Sequence, residues 1–392
     1  MPFRLLALVL TVALIAGCGG GGGDDDQGGG GDVPVLGQSG DEEVEGPGLG
    51  FPIFATKNTT RVAGADPVAN AAGVAQAVFP ARSEDTRPRA VVLVDQADWR
   101  SAISAAQLMA APLRAPVLFT DGGEVPEATA QALENLKPTG SREAGGAQVV
   151  RIGDAPVPEG YESTDVKGAG PVSLARAIDR LQTSAAGDPA DTVLVATADS
   201  AQYAMPAAGW AAKSGQPVLW TNRNALPAET RAAIEAHKRP RIYVLGPEDA
   251  ISDGVVGQLE RLGTVKRVAG NDPVTNAIAF ARYSDGRFGW NVVDPGHGLV
   301  FANARRTQDA AAAAPLSSAG TYGPLLLLPD AGTLPAPLQE YLLDIQPGYD
   351  EDPVRGVYNH GWLMGDESAI SAGVQARIDT LLEIQPVETE GD

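Results

Sequence analysis

The chain has 392 residues, of which 49 are acidic and 29 basic, giving a formal net charge of −20, and only 5% are aromatic. This balance argues against nucleic acid as a partner, because such binding needs clustered Lys and Arg, and against direct docking on anionic lipid headgroups. A single cysteine, Cys18, excludes disulfides within the chain and cysteine metal clusters.

From the N-terminus, Arg4 precedes an apolar run of 13 residues, Leu5 to Gly17. A membrane-spanning helix needs about 20 such residues, so the run reads as the core of a signal peptide over 1–17. It ends in Ile15-Ala16-Gly17-Cys18, which resembles a bacterial lipobox and predicts lipidation of Cys18 after cleavage. Residues 18–54 are Gly- and Asp-rich and cannot bury enough apolar surface to order themselves, so a disordered tether with an r.m.s. span of about 30 Å is expected.

Residues 61–75 read RVAGADPVANAAGVA and residues 267–281 read RVAGNDPVTNAIAFA; midway between them, 165–178 read DVKGAGPVSLARAI. Such internal similarity is the mark of a chain built from copies of one structural unit. In the first copy, Asp66 and Pro67 are N-cap and first-turn signals for a helix to Phe79. Ala90–Val94 reads as a strand buried on both faces, followed by an Ala-rich helix in WRSAISAAQLMAAPL. Pro116–Thr120, a helix from Pro126 to Leu136, and Gln148–Gly153 complete the unit. The second copy answers with 192–195, 217–221, a helix opened at Pro227, 241–246 and a further helix within 247–263. The third answers with 298–302, TQDAAAAAPL and 324–327, and carries an insertion near 345–362. Strand–helix alternation of this kind predicts parallel α/β sheets. The expected division is repeat domain 1 over 55–163, domain 2 over 164–266, domain 3 over 267–386 and an acidic tail over 387–392.

The order RVAG-x-D, a VVL-type strand, an Ala-rich helix, P-V-L-x-T, P-x-x-T and IYVLG-x-x-x-AIS resembles the cell wall-binding repeat 2 family, over about 330 residues. The resemblance implies three tandem Rossmann-like α/β domains in a pseudo-threefold arrangement and noncovalent attachment to an anionic polymer of the cell envelope. It also implies recognition through the triplet after the second-strand proline: Val117-Leu118-Phe119, Val218-Leu219-Trp220 and Leu325-Leu326-Leu327. Two positions depart from the family pattern. Pro-Val follows the opening motif in all three copies where the family has Arg-Tyr, which removes three cations suited to an anionic ligand. The aspartate heading the Ala-rich helix survives only as Asp309, with Ser101 and Gln202 at the matching positions.

Residues able to carry chemistry are few. His237, His297 and His360 have no ligand or nucleophile at a useful spacing, and His297, in a Gly-rich loop, reads as solvated. No HExxH, GxSxG or P-loop is present, and Gly168-Ala169-Gly170 lacks the preceding apolar strand of a dinucleotide loop. Asp66 and Asp272 are explained as helix caps. The triplets also read as ordinary fillers of parallel strands, and Trp220 suits sugar stacking if its ring stands at a strand end. The sequence therefore predicts a lipid-anchored extracytoplasmic envelope protein with no catalytic residues, cofactor or metal. Its expected partners are a cell-wall polymer or peptidoglycan-associated glycan and, through Cys18, the membrane. The alternative is a substrate-binding or scaffold lipoprotein with degenerate repeats.

Overall fold

The computed structural model describes residues 49–319 and 323–387. Cys18, the apolar run before it and the tether as far as residue 48 lie outside the described residues, as do 388–392 of the acidic tail. Along the first third run β1 (Leu49–Ala55), β2 (Thr59–Gly64), α1 (Pro67–Val78), β3 (Val91–Asp95), α2 (Trp99–Ala105), β4 (Val117–Thr120), α3 (Glu127–Leu136), β5 (Val149–Ile152) and β6 (Ser163–Val166). The middle supplies α4 (Pro171–Ala186), β7 (Thr192–Thr197), α5 (Ala201–Ala204), α6 (Pro206–Ser214), β8 (Val218–Thr221), α7 (Ala228–Ala236), β9 (Arg241–Leu245), α8 (Asp253–Leu259) and β10 (Thr264–Val268). The last third supplies α9 (Pro273–Arg282), β11 (Gly298–Asn303), α10 (Asp309–Ser318), β12 (Leu325–Leu328), α11 (Ala336–Asp344), β13 (Gly348–Tyr349), β14 (His360–Met364), α12 (Ala372–Leu382) and β15 (Gln385–Pro386).

Three sheets of four or five strands result, ordered β4-β3-β5-β6, β8-β7-β9-β10 and β12-β11-β14-β2-β1, beside a separate two-strand ladder of β13 and β15, and all of the pairings are parallel except β1 on β2. Each sheet thus runs second, first, third strand, and is completed by the strand that opens the next repeated phrase. In the third sheet that place is taken by β2, the strand of the first phrase, with Gly361 opposite Thr59 and Met364 opposite Val62. Grouped by sheet, the units are one strand out of phase with limits drawn at the phrase itself. Residues 49–54, read from sequence as the end of the tether, form most of β1. β14, HGWLM, the central strand of the third sheet, begins at the end of the stretch read as an insertion and runs two residues past it; its His, Gly and Trp break up the apolar run that marks its counterparts β5 and β9.

Local physics explains why the phrase repeats. Asp66 Oδ1 accepts the Ala69 amide at 2.9 Å, and Asp272 Oδ1 accepts those of Val274 and Thr275 at 2.9 and 3.1 Å. Both aspartates are N-caps followed by proline at the first helical position. The glycine at the end of the phrase is required by close approach: a Cβ at Gly64, Gly168 or Gly270 would stand 2.2–2.7 Å from the start of the following helix. Asn70 then closes the turn by accepting the Gly64 amide at 2.9 Å, and Asn276 does the same for Gly270 at 3.3 Å.

The Ala-rich helices of the three copies meet pairwise: α6 lies on α10, and both lie on the tight 3-10 turn Ala106–Met109 into which α2 winds; α10 also lies on α1. Gly209 of α6 has no room for a Cβ, which would fall 2.6 Å from Ser317 Oγ of α10. Ala310 to Ala314 are at most 2% exposed; only side chains this small let a helix be buried on every face among its neighbours. Among the described residues no helix is long and apolar enough to cross a membrane.

Candidate polymer-binding site

The three triplets occupy β4, β8 and β12, and each of Val117, Leu118, Phe119, Val218, Leu219, Trp220, Leu325, Leu326 and Leu327 is at most 2% exposed. As placed, they fill the sheets and offer no contact surface to a polymer. Trp220 is not at a strand end: its indole Nε1 donates to Ser104 Oγ at 2.9 Å, and its ring meets that of Trp99 edge-on at 5.4 Å. Ser104 Oγ in turn donates to the Val218 carbonyl at 3.0 Å. The tryptophan therefore bolts the second sheet to α2, and the serine satisfies a backbone acceptor on the edge strand β8. The threonine of P-x-x-T is also structural: Thr129 and Thr230 donate to the carbonyls of Phe119 and Trp220 at 2.6 and 2.5 Å.

The arginines of the phrase are consumed internally. Buried Arg61 donates through Nη1 to the carbonyls of Gly365 and Asp366 and through Nε to Gln375, each at 2.9 Å. Arg267 holds the carbonyls of Gly246 and Ile251 at 2.8 and 2.9 Å. The second copy has Asp165 at this position, and Arg151 meets it with two bonds of 2.8 and 2.6 Å. In the first and third phrases the arginine thus braces the loop that follows the neighbouring strand of its sheet, and in the second the aspartate pairs with the neighbouring strand itself.

In a parallel sheet ordered this way, the chain turns to opposite sides after the first and third strands, and ligands bind in the crevice at their carboxyl ends. Side chains from neighbouring domains tie these ends together. Arg100 of α2 donates to the Ala198 carbonyl after β7 at 2.8 Å, and Gln308 before α10 donates to the Gln96 carbonyl after β3 at 3.0 Å. The Arg100 guanidinium also lies 4.3 Å above the Trp99 ring. At the second crevice, Asp199 accepts the Asn222 amide group and the Arg223 backbone amide, both at 2.8 Å, while Arg223 reaches Asp249 at 3.2 Å.

The third crevice holds the most connected polar cluster. Asp309, fully buried at the head of α10, accepts from Asn70 of α1 at 2.9 Å and pairs with Arg306 at 2.9 Å. Arg306 extends to within 3.9 Å of Asp366. Burial raises the Asp309 carboxyl above its ordinary range, against the opposing pull of Arg306 and Asn70. Exposed Arg305 beside it completes a pair of arginines in sequence. The family resemblance pointed to Asp309 alone; the doublet Arg305-Arg306 directly after an apolar strand was the available signal for the rest.

Elsewhere, His297 pairs with Asp294 at 3.0 Å and His360 contacts the Thr60 hydroxyl at 3.1 Å. Buried His237 lies between the Ala190 carbonyl at 2.8 Å and Asp179 at 2.9 Å. Among the described residues no cluster of His, Cys, Asp and Glu is arranged to hold a metal ion. The geometry suits binding by hydrogen bonds and ion pairs at the crevice mouths.

The profile of the cell wall binding domain 2 (CWB2) family matches residues 174–256, from α4 to α8. The chain is 26% identical over 211 residues to the amidase enhancer of Bacillus subtilis strain 168, a span of 54% of this chain and 28% of that protein. Two solved structures from Clostridium difficile share the fold: Cwp6, with a TM-score of 0.66 at 17% identity, and Cwp8, with 0.64 at 18%. Each alignment covers 83% of this chain, but 48% of Cwp6 and 52% of Cwp8. The chain thus spans less than a third of the curated relative and about half of each solved chain. The family profile thus matches the middle one of three like units, and the solved structures share the fold of the chain.

Proposed function

We propose that the protein is a non-catalytic, lipid-anchored component of the cell envelope that binds a cell-wall glycan or anionic polymer noncovalently through its three repeats. The observation that carries this reading is the CWB2 match over 174–256, within a chain that builds the same unit three times. Three like crevices joined side by side suit a polymer, because each further unit engaged binds at the high effective concentration set by the first. The lipid anchor is inferred from the apolar run and Cys18 that follows it. Anchor and repeats together would hold membrane and wall in register.

The test is co-sedimentation of the purified full chain with isolated sacculi, before and after the anionic polymers are stripped. Pelleting that vanishes on stripping supports an anionic polymer, and pelleting that survives supports the glycan itself. Folded protein left in the supernatant of both samples at low salt overturns the reading.

A further inference from the structure

The connection from α1 to β3, residues 79–90, has no counterpart in the other domains. α4 reaches β7 through the short stretch 187–191, and the link from α9 to β11 turns its Phe288 and Trp290 into the core. In the first domain, by contrast, the polar sequence ARSEDTRPR folds around one 3-10 turn, Glu84–Thr86, and carries Arg87, Pro88 and Arg89 back to the sheet. With Pro112 and Arg114 from the loop before β4, it encloses a cleft of about 700 Å³. Ligand pockets are typically about 300–1,000 Å³. The cleft lies at the amino ends of the strands, away from the crevices already described.

Its lining combines two chemistries. Phe79, Pro88 and Pro112 supply an apolar wall. Arg87, Arg89 and Arg114 stand against only two carboxylates, Glu84 and Asp85, in a protein of net charge −20. Of the three arginines, only Arg89 has an ion pair among the described residues, 4.0 Å from Glu143. The Nε of Arg87 is buried and has no hydrogen-bond partner. A buried donor without an acceptor is costly, and a guanidinium is the group best shaped to receive a phosphate or carboxylate.

We propose that this cleft binds an anionic saccharide, with the sugar ring against Phe79 and the prolines and its phosphate or carboxylate on Arg87 and Arg114. The cleft depends on the wall-binding reading only for the source of such a ligand. The experiment is calorimetric titration of the full chain at low salt with glucose 6-phosphate and with glucuronate, using glucose and inorganic phosphate as controls. At least one anionic sugar is expected to bind more tightly than either control, and which of them does so tells phosphate from carboxylate. Arg87→Gln and Arg114→Gln are each expected to weaken it roughly ten- to a hundredfold, while Arg142→Gln, at an exposed position outside the cleft, leaves it unchanged. Unaltered melting curves show that the exposed Arg114→Gln variant is folded. Absence of binding by both sugars, binding indifferent to both cleft substitutions, or inorganic phosphate binding as well as the sugars would each overturn the proposal. Sacculus pelleting separates the two readings: if Arg87→Gln/Arg114→Gln protein pellets like the parent and no sugar binds, the cleft fails and wall binding stands. Sugar binding without pelleting is the converse.

Discussion

Replacing Trp220 by alanine separates a packing role for the triplets from a contact role. The side chain is fully buried, meets Trp99 edge-on and donates to Ser104, so the substitution opens a cavity between the first two domains. Buried Trp→Ala changes cost about 3–5 kcal/mol, a fall in melting temperature on the order of 10 °C for a body of this size. Trp220→Phe keeps most of the apolar volume and loses the Nε1 donor, while Ser104 still satisfies the Val218 carbonyl; its cost should be nearer about 1 kcal/mol. Thermal unfolding followed by circular dichroism measures both, and sacculus pelleting is done below the first transition. Graded destabilisation with pelleting retained is the expected result. A Trp220→Ala protein that melts within about 2 °C of the parent yet no longer pellets would refute the argument and return the triplets to the binding surface.

Two further outcomes follow from the geometry. Burial disfavours charge on His237, but the hydrogen bond and charge of Asp179, with the Ala190 carbonyl, outweigh it and raise the pKa above the ordinary 6.5. A raised folded-state value means that this stabilisation is complete below pH 6.5 and is lost as the pH rises through the folded value. His360, lowered by burial, acts in the opposite sense, so the quantity to measure is the difference in denaturation midpoint between parent and His237→Gln across pH 5.5–8. The gap should narrow as pH rises, and a gap that widens contradicts the assignment. Gly270→Ala should cost at least about 1–3 kcal/mol, because its Cβ would fall 2.2 Å from the Thr275 backbone. Gly257→Ala, which meets nothing within 4 Å, is the control, and equal melting of the two variants would show that the phrase glycine has room to spare.

The residues that were legible in the sequence are those whose structure is settled by near neighbours. Asp66 and Asp272 cap amides two or three residues away, proline marks the first turn, and the runs VVLV, TVLV and LVFA are strands because a parallel sheet is apolar on both faces. The helix in PEDAISDGVVGQLERLG is shorter than its letters suggest, starting at Asp253 after the Ser252 cap, since a turn takes up the preceding residues. β14 escaped notice because HGWLM sits among Pro, Asp and Gly and carries two bulky polar-edged rings. The arginine cleft escaped because ARSEDTRPR reads as a solvated loop, and nothing local says that Arg114 will face it.

By itself, the sequence determined the unit and its number: a glycine with no room for a side chain, a helix opened by proline, buried strands and Ala-rich helices, written three times, with an aspartate cap in two of them. Those are contacts within a few residues, where chain connectivity leaves little choice. Only the tertiary structure decided that β2 closes the sheet of the third copy, that Trp220 joins two domains, and that the phrase arginines brace loops. Each of those depends on groups far apart in the chain. Their partners are chosen by the one arrangement that pairs every inner edge of the sheets and buries three Ala-rich helices against one another.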